Sequence, residues 1–320
     1  MRACAIAQPN IALIKYWGKR DAARNLPAAG SISLTLETLW TKMSVELREG
    51  AHADTLMVNA SENNTMQKRV SACLDRLLGP GRPMAEVASE SNFPIGAGLA
   101  SSASAFAALV MATSRAARLP GDVLSLARLA GASSGSAARS FFEGIVELDA
   151  RDDEIDVSCI SAAIAWPLRI VIAVTDSGSK AIGSGAAMVR SAATSPLYDS
   201  WIARQDQDLE TARQAVAARD FEKLAFVSEH NCLKMHSVMW TSRPPVVYWN
   251  EATINAMEAI RELKQNGIPV FFTIDAGPQV KAVCLPEAQR TVEAALAGTK
   301  GVRRVIASGL GGGARLLDNA

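Results

Sequence analysis

Short apolar runs broken by turn residues open the chain. Residues 3–8 and 11–16 read as strands. ISLTLE (32–37) and TKMSVELRE (41–49) add two more, with β-branched residues spaced along them. Between these runs RDAARNLPAAGS (20–31) reads as a loop, and EGAHADT (49–55) as a hairpin connection. Over 66–78 the period changes: Val70, Cys73, Leu74, Leu77 and Leu78 share one helical side, and Gly79, Pro80, Gly81 and Pro83 stop the helix. A strand over 86–93 then enters the small-residue loop PIGAGLASSAS (94–104), and a long alanine-rich helix follows from Ser102 to Arg118. A further helix over 122–132 leads into GASSGSAARSFFEG (131–144) and the strand IVELD (145–149).

DARDDEID (149–156) is a charged loop, and ISAAIAW (160–166) begins another element. RIVIAV (169–174) has the continuous apolar content of a buried strand. The polar, glycine-rich TDSGSKAIGSGAAM follows, then helices over 199–217, 219–239 and 249–266. The chain ends with the strand IPVFFTI (268–274), the turn DAGP, the strand VKAVCLP, the helix QRTVEAALAG and the strand VRRVIAS. Helix, strand, strand, helix, strand after residue 250 suits a small α+β sandwich. The change of character puts a domain division near 170, giving domains 1–170 and 171–320, with no internal repeat.

Composition narrows the classes. Hydrophobic residues make up 49% and charged residues 20% of 320, an ordinary globular balance with room for two cores. No run of about 18 apolar residues appears, and the first residues do not read as a signal peptide, so no membrane partner is expected. A net charge of +1 without basic runs makes nucleic acid an unsuitable partner. Five scattered cysteines without a CxxC suit a reducing cytoplasm, and three distant histidines are a poor basis for a metal centre.

Candidate chemistry gathers in four places. In 94–104, glycines expose backbone N–H groups just before a helix start, which is either a phosphate-binding nest or a turn capping the helix. Ser101, Ser102 and Ser104 add hydroxyls for phosphate or magnesium, although neither GxxxxGK[ST] nor GxGxxG is present. In 131–140, Ser134 and Ser136 alternate across Gly135, and Arg139 follows with a fork suited to carboxylate or phosphate, or else as a solvated arginine. Lys15, Tyr16, Trp17 and Lys19 either line an anionic pocket or edge a strand; continued strand alternation would put Lys15 and Trp17 on one face and Tyr16 on the other. Asp275 ends an apolar strand, where an acid can cap a turn or act as a base toward a hydroxyl.

These segments together resemble the diphosphomevalonate decarboxylase family of the GHMP kinase superfamily. The resemblance is carried by PNIALIKYWGKRD (9–21), SISLTL (31–36), SESNFPIGAGLASSASAFAAL (89–109), GSAARSFFEG (135–144) and FFTIDAGP (271–278). One departure is Ile95-Gly96, where the family commonly has a threonine-alanine pair. The resemblance implies an α+β, two-domain GHMP kinase fold: an amino-terminal ribosomal-protein-S5-like domain, which binds ATP, and a carboxyl-terminal ferredoxin-like α/β sandwich. It implies ATP and Mg2+ as cofactors, a cytoplasmic homodimer, and conversion of mevalonate 5-diphosphate to isopentenyl diphosphate, ADP, phosphate and carbon dioxide. By motif position, Lys15, Tyr16, Lys19, Ser134 and Ser136 would surround the substrate's phosphates. Arg139 would hold its carboxylate, Asp275 would face the tertiary hydroxyl, and Asn10 would support the reacting groups. Gly96, Gly98, Leu99, Ala100, Ser101 and Ser102 would form the ATP loop, with magnesium near the two serines. A mevalonate 5-phosphate decarboxylase, a mevalonate 3-kinase and a non-catalytic ligand-binding protein on the same fold are the alternatives.

Overall fold

The computed structural model describes residues 1–95, 98–150, 153–176, 178 and 180–317. A six-stranded sheet runs in the spatial order Arg315–Leu316, Arg2–Ala7, Thr41–Arg48, Met84–Ser91, Thr55–Val58, Ser61–Glu62. Along Thr41–Arg48, Thr41, Met43 and Val45 are buried in alternation, as one covered sheet face requires. That face is covered by the helix Ser101–Ala116, whose Ala103, Ala107 and Ala112 allow close approach while Phe106 and Val110 fill the gaps. The predicted connection over 49–55 is not a hairpin. Both edges of Thr41–Arg48 are already paired, so Thr55–Val58 crosses over and pairs parallel with Met84–Ser91.

A second sheet has the order Asp156–Ser161, Ile145–Asp149, Ser31–Thr35, Asn10–Ile14. A third, antiparallel throughout, has the order Val270–Ile274, Val280–Cys284, Arg169–Val174, Arg304–Ser308. Asn10–Ile14 and Val270–Ile274 are edge strands yet fully buried, because the helix Phe221–Trp240 packs against both. The tail after the third sheet returns to the first half: Gly311 N–H donates to Thr35 O and Ala314 N–H to Ser140 O, before Arg315–Leu316 pairs with Arg2–Ala7.

Two further segments depart from expectation. Within the expected loop 20–31, Lys19–Asp21 pairs with Leu26–Pro27 in a small hairpin. The polar stretch after 174 contains a helix, Ser184–Thr194, whose Ala187, Met188 and Ser191 are buried; its short apolar stripe is masked by the glycines that precede it.

The first half is locked by a buried ion pair. Arg82 donates from Nη1 and Nη2 to the two oxygens of Asp54 at 2.8 and 2.6 Å, and Ala85 N–H donates to Oδ1 at 2.8 Å. Burial raises the Asp54 carboxyl, but the Arg82 fork and the other donors hold it below its usual range. Arg82→Met strands that carboxylate and is expected to cost about 3–5 kcal/mol in urea unfolding. In the wild type the pair's contribution is present above the unfolded carboxyl pKa and is lost as pH falls through the folded one.

Candidate active site

The strand Asn10–Ile14 stops at Ile14, and the next three residues do not alternate between faces: Lys15, Tyr16 and Trp17 all line one cleft of about 590 Å³. This overturns the two-faced arrangement expected from strand spacing. Lys15 is fixed by its backbone. Its N–H donates to Asn231 Oδ1 at 2.8 Å, and its carbonyl accepts from Gln205 Nε2 at 2.9 Å. Asn231 in turn donates to Gln205 Oε1 and Asp208 Oδ2, both at 2.6 Å, and Lys234 pairs with Asp208.

Asp275 follows the edge strand Val270–Ile274. Cys232 on the helix Phe221–Trp240 accepts from Ile274 N–H at 3.2 Å and donates to Ile274 O at 3.4 Å, while Glu229 accepts from Phe272 N–H at 3.1 Å. His236 Nε2 lies 3.2 Å from Ile274 O. Burial pushes that imidazole down to about 3, so the ring is neutral beside the acid. Side chains of one helix thus supply the hydrogen bonds that a neighbouring strand would supply.

Two ammonium groups hold the Asp275 carboxylate. Lys15 Nζ donates to Oδ1 at 2.7 Å and also to Ala12 O at 2.7 Å. Lys281 Nζ lies 3.3 Å from Oδ2, an ionic contact away from hydrogen-bond geometry, and donates to Gly98 O at 3.0 Å. Burial would raise the Asp275 carboxyl; the two lysines outweigh it and hold the group far below the usual carboxylate range. Burial pushes Lys281 down, with Asp275 opposing. Sequence reading missed Lys281. Its signal was a lysine inside the otherwise apolar strand VKAVC, a position a solvated lysine does not occupy.

Arg139 lies in the 3₁₀ turn Ala137–Phe141 and is 2% exposed, which excludes the solvated-arginine alternative. Its guanidinium donates to Ser31 Oγ at 2.6 Å, Ser33 Oγ at 2.9 Å and Asn10 Oδ1 at 3.3 Å, and among the described residues it makes no ion pair. Burial lowers it to about 10 against the pull of Asp275 and Tyr16. Asn10 is itself held, donating to Ser136 O at 2.9 Å and Ser140 Oγ at 2.8 Å. Burial raises Tyr16 to about 12, so it stays a neutral phenol. A Cβ at Gly135 would stand 2.4 Å from the Tyr16 hydroxyl, so only glycine fits under that ring.

The glycine-serine loop meets this group. Gly98 has φ +83°, and a Cβ there would lie 3.0 Å from the Cα of Gly277 in the turn after Asp275. Ala100 is left-handed at φ 53°, and no side chain caps the following 16-residue helix, whose first residues Ser101 and Ser102 line the cleft. Ser134 Oγ donates to Ser102 Oγ at 3.4 Å, joining the two small-residue loops. Asn10, Lys15, Tyr16, Lys19, Gly98, Ala100, Ser134, Ser136, Arg139 and Asp275 also line the cleft. Leu99 is buried behind the loop, and Gly96 lies outside the described residues. Arg69 and Lys180, which sequence reading passed over, line it as well. Lys180 donates to Ser184 Oγ and Ala276 O, and its pKa is lowered by burial and by Lys281.

Among the described lining residues the cations are Lys15, Lys19, Arg69, Arg139 and Lys180, and Asp275 is the one carboxylate. Such a cleft takes a polyanion and keeps a single acceptor of protons. Lys281→Met is expected to move the Asp275 carboxyl upward, read as a carbon-13 carboxyl titration. A carboxyl with a depressed pKa stabilises the fold above the unfolded value and loses that contribution as pH falls through the folded one, so acid unfolding of this variant begins at higher pH.

Residues 7–161 match the family model described as the diphosphomevalonate decarboxylase-like N-terminal domain, and residues 170–311 match the mevalonate 5-diphosphate decarboxylase C-terminal domain. A diphosphomevalonate decarboxylase of Candida albicans is 35% identical over 297 residues, 86% of this chain and 82% of that one. The solved mevalonate diphosphate decarboxylase of Enterococcus faecalis is 32% identical with a TM-score of 0.91, over 100% of this chain and 99% of that one. A structure described as MDDEF in complex with MVAPP, AMPPCP and magnesium is 32% identical with a TM-score of 0.92, over the same shares.

Proposed function

The chain belongs to the diphosphomevalonate decarboxylase family, and from that membership we propose how its cleft converts mevalonate 5-diphosphate and ATP to isopentenyl diphosphate, ADP, phosphate and carbon dioxide. The observation that carries the reading is the charge inventory: five cations facing one carboxylate that is itself held between two lysines. The same reading assigns 1–170 to an amino-terminal ATP-binding domain and 171–320 to a carboxyl-terminal domain.

Lys19, Tyr16, Ser134 and Ser136 receive the substrate's diphosphate at one end of the cleft. Among the described residues Arg139 has only neutral hydrogen-bond partners around a buried charge, and the substrate carboxylate supplies its counter-ion. Asp275 accepts a hydrogen bond from the tertiary hydroxyl. With so low a pKa it is a weak base, and it takes the proton late, once the hydroxyl oxygen is bonding to phosphorus. Lys15 keeps the carboxylate ionised and aimed. After phosphorylation, the C–O bond to the new phosphate breaks, carbon becomes cationic, and the anionic Asp275 stabilises it. The electron pair of the carboxylate C–C bond then forms the alkene and carbon dioxide leaves. Arg139 orients that carboxylate until it departs.

The residues present fit ATP and magnesium. An uncapped helix N-terminus beside a tight loop offers N–H groups to phosphates. Among the described residues no group of three or more His, Cys, Asp or Glu side chains can hold a metal. Magnesium suits such a place, since it keeps water and phosphate oxygens as ligands and needs few from protein. Ser101 and Ser102 would hold it, and it would supply charge neutralisation between phosphates.

The test supplies mevalonate, its 5-phosphate and its 5-diphosphate separately with magnesium-ATP, and follows ADP, carbon dioxide and the organic product. Equal ADP and carbon dioxide with the diphosphate alone is the expected result. The same pair with the monophosphate, ADP without carbon dioxide, or no turnover would each replace the reading. Asp275→Asn is expected to slow ADP formation by about 10³-fold without weakening mevalonate 5-diphosphate binding, because it removes a negative charge from an anion site. A variant with normal phosphorylation would remove Asp275 from the reaction.

A further inference from the structure

Behind the hairpin Lys19–Pro27 lies a second cavity of about 330 Å³, outside the reacting cleft. Three arginines from three separate elements reach its wall: Arg24 from the hairpin turn, Arg76 from the helix Asn64–Leu78, and Arg128 from the helix Val123–Ser133. Each guanidinium is anchored by a backbone carbonyl. Arg24 Nη2 donates to Asp153 O at 2.7 Å, Arg76 Nη1 to Ala132 O at 3.1 Å, and Arg128 Nε to Ile155 O at 2.9 Å. Anchored forks cost less entropy to bind through than free ones. Among the described residues these three cations make one ion pair, Arg128 to Glu154 at 2.9 Å, leaving two positive charges uncompensated at the cavity. The rest of the wall is largely apolar, with Leu26, Leu129 and Ile155.

We propose that this cavity is a second anion site, for a small phosphomonoester carrying a short hydrocarbon arm. The Arg24 and Arg76 forks match phosphate oxygens, and Arg128, already paired with Glu154, borders them. The cavity far exceeds a bare phosphate, and its apolar wall receives the arm. The site adjoins the cleft directly. Asn25 and Gly135 line both cavities, Asn25 Nδ2 donates to Gly131 O at 2.7 Å, and Arg76 also donates to Ser133 Oγ at 3.2 Å, next to Ser134.

The experiment is calorimetric titration of full-length protein whose cleft is first saturated with mevalonate 5-diphosphate, magnesium and AMPPCP. Saturation is checked by its own titration, so that a failure of the cleft assignment is seen separately. The probes are inorganic phosphate and n-butyl phosphate. One further equivalent of each should bind, n-butyl phosphate about tenfold more tightly through its buried methylenes. Arg24→Gln and Arg76→Gln should each weaken it about tenfold, and Arg76→Lys should recover part of the loss. Absence of saturable binding overturns the proposal, as does binding that both glutamine variants leave unchanged. Equal affinity for the two probes overturns the hydrocarbon arm. A thermal midpoint for each variant close to that of the wild type confirms that any loss is local.

Discussion

A carboxylate held between two buried ammonium groups is the interaction on which the rest of this molecule turns. Lys15 comes from the end of the second sheet, Asp275 and Lys281 from the third, and Lys281 also binds the carbonyl of Gly98 in the glycine-serine loop. One ionic cluster therefore ties together the end of the strand Asn10–Ile14, the turn at Asp275 and the glycine-serine loop. Burying three charges costs several kcal/mol for each ion, and replacing them with hydrocarbon would give an equally firm core. Their place here is chemical. They keep an anion anionic inside protein, facing a cleft whose other charged residues, among those described, are cations.

The cluster requires two edge strands to meet at a fixed distance, and the helix Phe221–Trp240 sets it. On one side Asn231, backed by Gln205 and Asp208, holds the backbone of Lys15. On the other, Glu229, Cys232 and His236 satisfy the open edge of the strand leading to Asp275. An edge strand ordinarily presents unpaired polar groups to solvent or to another chain. Here those groups are spent on registering two sheets against each other, and Lys15 and Asp275 stand just past the ends of the two strands.

Much of this was legible in the sequence, for local reasons. RIVIAV is a strand at the expected residues, and the helix over 122–132 appears as Val123–Ser133 with Asp122 capping it. The loops around Ser101, Ser134 and Asp275 announced themselves by residue type, and the family resemblance supplied their common destination. What stayed hidden depended on distance in the chain. Lys281 looks like one lysine in a strand until Asp275 is beside it. Asn231 and Cys232 are ordinary helix residues until two edge strands lie along them. The parallel pairing of Thr55–Val58 follows from which edges are free, which no local window contains. Lys15, Tyr16 and Trp17 defied alternation because the strand ends one residue before them.

The returning tail sets an order on assembly. Arg2–Ala7 borders the first sheet with one edge open until Arg315–Leu316 arrives, and Leu317 N–H then donates to Cys4 O. A strand made early thus waits for a partner made much later, with an unpaired edge that is open to wrong partners meanwhile. Arg2–Ala7 and Arg315–Leu316 are neighbours in the finished molecule, so linking these two strands directly and opening the chain at an exposed loop elsewhere would preserve the contacts of the cleft while reversing which half is synthesised first.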